Sequence, residues 1–246
     1  MGFLTRALYF LVRPFAEIVD VSDSPDVREY GFEEVPAARR QELFNAHTRL
    51  DAEGFTEVRR GFFVREGAPE IFHVLSHHAR VGVTYISWGV SLAFVPHEFG
   101  TRVRFHRTLK SADLDLFNPS WGDEGANYLH TETPWIRDMK AMWARAWPRA
   151  VEFWDRGSAV EGVLHLAEAL SAAPPTESGT TQDSFFITGP KFVRSMALAR
   201  LGREAEARAS LVEWAERWSG ADLGSKFSLA GAEIALERVL ALPPAG

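Results

Sequence analysis

Three of the chain's eight histidines fall within the eleven-residue stretch IFHVLSHHARV, residues 71–81, at positions 73, 77 and 78. On a helix, His73 and His77 would share a face one turn apart and could ligate a single metal ion. On a strand they still share a face but stand about 13 Å apart at roughly 3.3 Å per residue, too far to bind one ion. The stretch alternates in the manner of a strand, so the histidines read as hydrogen-bonded or solvated groups, with no metal and no cofactor assigned. His77 and His78 then point to opposite faces, and at most one of them joins any given site.

Other chemistry-bearing residues cluster downstream. His97, His106, His130 and Glu132 are the candidate catalytic residues of an enzymatic reading, a hydrolase or a metal-assisted enzyme with its pocket between a sheet and the loop at 111–132. His130 and Glu132 belong to HTET beside an expected helix N-terminus, where the helix dipole could hold an anion, although Thr and Glu are also ordinary capping residues. Arg102, Arg104 and His106 alternate on one strand face and could bind a carboxylate or phosphate. Trp121 stands in a polar loop beside Asp123 and Glu124 and is the best candidate for an exposed contact. Together with the arginine face it supports a small-ligand-binding module. No nucleophile elbow, phosphate-binding loop or dinucleotide fingerprint is present. The chain has no cysteine, which removes disulfides, thiolate zinc ligands and a cysteine nucleophile.

Charge supplies the leading functional expectation. The net charge is −6, and residues 17–34, EIVDVSDSPDVREYGFEE, carry seven acidic residues against the single Arg28. That one segment therefore holds the whole imbalance. Asp20, Asp23, Asp26 and Glu29 are its candidate binding residues, suited to steering a basic protein partner. Bacterial immunity proteins against basic toxins are an analogy for such a role. The leading expectation is a non-catalytic bacterial cytoplasmic interaction protein. A basic nucleic-acid footprint is missing, and the apolar run at residues 7–12 is too short for a membrane span, which needs about 20 residues. Oligomeric state is left unassigned.

The elements that must position these groups define an α+β chain. Pro36 opens a helix through AARRQELFNAHTRLDAEG that stops at Gly54. Four strands follow within about 61–108, GFFVRE, EIFHVLSHH, VGVTYISWGVSLAFV and TRVRFHRT, expected to form an antiparallel sheet of four to five strands with one face exposed. Residues 111–130 read as a long loop. From about residue 133 the chain becomes helical, with Thr133 as N-cap, Pro134 at the first helical position and a break or kink at Pro148. Further helices are expected at about 158–172, 190–201, 203–218 and 226–241. This divides the chain into a helix-plus-sheet domain, 1–132, and a helical region, 133–246, packed on it or forming a subdomain.

Gly54 and Phe55, then Gly61, Phe62 and Arg65, then YISWGVSLAFV give residues 54–95 an order of elements that resembles an uncharacterised bacterial α+β domain family. The resemblance implies a sheet-and-helix domain and no activity, so it transfers no functional residue. ALARLGREAEARASLVEWAERW, near 196–218, resembles one tetratricopeptide-type hairpin with Gly202 at the bend. A solenoid needs three or more repeats, so this is a local helical pair.

Overall fold

A computed structural model describes residues 37–80, 83–99, 103–105, 108–117, 125–127, 132–173, 189–218 and 229–243. Helix α1 (Ala37–Thr48) leads through a turn, where Gly54 has φ +81°, into strands β1 (Thr56–Arg59), β2 (Phe62–Ala68), β3 (Ile71–Arg80) and β4 (Val83–Leu92). Two short strands, β5 (Pro96–Phe99) and β6 (Val103–Phe105), precede a 3-10 turn at Leu109–Ser111 and the strands β7 (Leu116–Phe117) and β8 (Gly125–Asn127). Five helices follow: α2 (Glu132–Arg156), α3 (Val160–Ala172), α4 (Pro190–Arg200), α5 (Glu204–Trp218) and α6 (Leu229–Leu240). The fold is α+β. No described helix is long and apolar enough to cross a membrane.

The main sheet is antiparallel in the order β1-β2-β3-β4-β7, with β8 also pairing β4, so β1 forms one edge. The expected fourth strand is placed differently. Residues 103–105 pair with β5 in a separate two-stranded sheet. The stretch read as one long loop also contributes more than a loop, since β7 and β8 lie within it. Gly89 makes the β7 pairing feasible: a Cβ there would stand 2.0 Å from the Leu116 carbonyl oxygen. A side chain at that position would hold β7 away from the ladder.

Alternation along the strands sorts their residues between two faces. Phe63, Ile71, Leu75, Ile86, Trp88, Val90 and Leu92 face the helices and join Trp135, Met139, Trp154 and Phe192 in one core that draws on the sheet and the C-terminal helices alike. The opposite face is not left to solvent as expected. Phe62, Val64, Phe72 and Val74 are buried there beneath Ala112, with Leu109 and Leu114 packed against them. Hydrophobic residues on both faces of β2 and β3 require a second cover, and the 3-10 segment supplies it.

Helix α2 runs through Pro148 without a break, so of the break or kink expected there the break does not occur. The missing amide would have donated to the carbonyl of Ala144, and both residues are exposed, so water can take the amide's place as that carbonyl's donor. Gly202, at φ +71°, makes the bend between α4 and α5, and Leu211 and Trp214 pack inward as their spacing predicts.

Candidate functional site

His73 and His77 share the helix-facing side of β3, and each is held by different neighbours. His77 donates from Nδ1 to Gln41 Oε1 at 3.0 Å and lies flat on the Phe44 ring, with centroids 3.9 Å apart. Its role is to join α1 to the sheet. His73 instead stacks on Trp154 of α2 at 5.3 Å and meets Arg65 across the ladder, where Arg65 and His73 are direct partners. The two histidines serve separate environments, as strand spacing requires. Among the described residues no group of three or more His, Asp or Glu is placed to hold a metal ion.

Arg65 is fixed on several sides. Its Nε–H donates to His73 Nδ1 at 3.2 Å, and its Nη1 donates to the Glu53 carbonyl at 3.0 Å. The guanidinium carbon lies 4.6 Å from the centre of the Phe55 ring and 5.2 Å from that of Trp154. Such stacking holds an arginine flat while leaving its outer N–H groups available. Trp154 is itself anchored by its Nε1–H, which donates to the Gly89 carbonyl at 2.8 Å. Trp143, Trp147 and Trp154 make a row along α2, continued by Phe44 at one end and Phe55 at the other.

Because His73 Nδ1 accepts from an arginine, which can only donate, the neutral ring carries its proton on Nε2. Nε2 is buried and has no hydrogen-bond partner among the described residues. Burial lowers the His73 pKa to about 4, the positive charge of Arg65 pushes in the same direction, and Asp155 opposes both. Burial also lowers the Arg65 pKa, against the attraction of Glu53 and Asp155. At neutral pH the pair is therefore a cation beside a neutral N–H donor.

These groups line an open cleft of about 520 Å³ at the turn end of the β2–β3 hairpin, together with Glu53, Gly54, Glu66, Gly67 and Leu109. Gly67 falls where the register shifts between Glu66 and Ala68, a bulge in β2. A Cβ at Gly67 would lie 2.3 Å from His73 Nε2, so the imidazole edge occupies space that any other residue would fill.

Of the residues singled out from sequence, Arg104 is exposed on β6, away from the cleft's lining. His97 belongs to β5 and Glu132 opens α2, and their side chains lie outside the described residues. Asp20, Asp23, Asp26, Glu29, Arg102, His106, Trp121 and His130 also lie outside the described residues. The Arg65–His73 pair was missed as a site. Counting from the turn alone hides it: a two-residue turn at Pro69 and Glu70 pairs Ala68 with Ile71 and would set Arg65 opposite Val74, and the register shift between Glu66 and Ala68 is what brings His73 opposite Arg65.

The chain matches no protein-family model, no curated protein and no solved structure.

Proposed function

We propose that this chain is a non-catalytic bacterial cytoplasmic binding protein, and that the Arg65–His73 cleft receives a small ligand. One observation carries this reading: a stacked, hydrogen-bonded arginine lines a concave surface, backed by a histidine whose buried N–H has no partner among the described residues. Prepositioned donors of this kind favour recognition. A histidine with a pKa of about 4 is a poor proton acceptor at neutral pH, which weighs against a general base at this position. The test is a 15N-resolved NMR titration that follows the Arg65 Nε–H signal across a library of small polar metabolites. Selective, saturable movement of that signal is expected, and a signal that no compound moves removes the reading.

A second reading rests on the concentration of −6 in residues 17–34. It makes the acidic segment a docking element for a basic protein, as expected from sequence. Capture from a lysate of the host at low and high salt tests it. A basic protein retained near one-to-one and released by salt supports the reading, whereas retention indifferent to salt opposes it.

A further inference from the structure

The chemistry lining the cleft is dipolar, and this narrows the ligand. Arg65 uses Nε and Nη1 on the protein, and its Nη2 has no hydrogen-bond partner among the described residues. His73 is 8% exposed and lines the same cleft with its Nε2–H unpartnered, a costly arrangement for a buried donor in the absence of a ligand. Glu53 and Glu66 also line the cleft, and the negative charge of Glu53 acts on Arg65. With the histidine neutral, one guanidinium and two carboxylates leave a net negative lining. A simple anion would meet Arg65 only at the cost of repulsion from both glutamates, and a simple cation would leave the arginine and the buried N–H unanswered.

Resting on the small-ligand reading above, we propose that the cleft binds a small zwitterion whose carboxylate pairs with Arg65 and whose ammonium pairs with Glu53 and Glu66. Arg65 Nη2 is the primary anchor. His73 Nε2–H lies buried beneath Gly67 at the cleft floor, and a side chain at Gly67 would collide with the imidazole that supports Arg65. Glu66 is exposed on β2, so it can be neutralised without disturbing the core.

Isothermal titration of the full chain with glycine, β-alanine, γ-aminobutyrate and δ-aminovalerate tests the proposal, with acetate and methylammonium as single-charge controls. At least one amino acid is expected to bind at least 10-fold more tightly than either control, with chain length selecting the charge spacing. Arg65→Gln and Glu66→Gln should each weaken that binding about 10-fold, and Glu66→Gln should narrow the preference over acetate. Circular dichroism confirms folding of each variant, and Glu66→Gln keeps the test decisive if Arg65→Gln unfolds. Binding of acetate as tight as that of the amino acids and lost in Arg65→Gln, or of methylammonium as tight and lost in Glu66→Gln, would overturn the zwitterion while retaining a ligand cleft. No binding by any of the six compounds would overturn the zwitterion, and a silent Arg65 signal in the metabolite titration would remove the cleft as well.

Discussion

Arg65 Nε–H reaches His73 Nδ1 across the β2–β3 ladder at 3.2 Å, and that bond decides which ring nitrogen carries the proton. Protonating Nδ1 would set two donors against each other, in a place where burial already disfavours the imidazolium.

A pH dependence follows. The folded-state pKa of His73 is about 4 against an ordinary 6.5, so the unfolded chain takes up this proton first as pH falls. The stabilisation is complete above the unfolded value and is lost between 6.5 and about 4. Replacing His73 with Gln should flatten unfolding free energy across that window by on the order of 2 kcal/mol relative to the parent, measured by urea denaturation at several pH values.

The glycines separate two physical causes. Gly89→Ala places a Cβ 2.0 Å from the Leu116 oxygen and 2.8 Å from the Phe117 Cα, both backbone atoms. It should cost about 3 kcal/mol and weaken the amide protection of β7 in hydrogen exchange. Gly202→Ala meets nothing within 4 Å but keeps φ at +71°. Its cost should be about 1 kcal/mol, with β7 unaffected.

The buried end of an ion pair sets a third contrast. Arg200 Nε donates to Glu70 Oε2 at 2.7 Å, and its Nη1 donates to the Pro243 carbonyl. The arginine side chain is 9% exposed, so Glu70→Ala strands a nearly buried charge. A loss of about 3 kcal/mol in thermal or urea unfolding is expected. Glu42→Ala, which breaks an exposed pair with Arg39, should leave stability nearly unchanged.

For the acidic segment, replacing Asp20, Asp23 and Asp26 with Asn and Glu29 with Gln should slow association with a basic partner about 10-fold at low ionic strength. The difference should vanish at high salt, as stopped-flow rates would show.

Much of the architecture was legible because alternation and helical spacing are local. The strand character of 71–80, the inward set from Ile86 to Leu92 and the Gly202 bend all follow from such patterns. The misplaced features depend on distant partners. Nothing local in Val103–Phe105 says that it pairs with β5 rather than with the main sheet, and two-residue β7 is a strand only because Gly89 admits it. Helix continuity at Pro148 depends on which side of α2 faces solvent, a property of packing. The cleft was hidden for a related reason. Arg65 and His73 read as ordinary alternating residues until the register and the stacking of Trp154 bring an arginine, an imidazole and an indole together.

The sheet's first strand has a bearing on solubility. An unpaired edge invites another chain to add itself by backbone hydrogen bonding. β1 offers only Thr56–Arg59, mostly exposed, with its register interrupted between Glu57 and Arg59. The Glu57 carboxylate is held by the Gly61 amide and by Asn45, while Arg59 pairs with Asp113. An incoming strand would meet charges pinned in place and a ladder out of step, so this border resists runaway self-assembly.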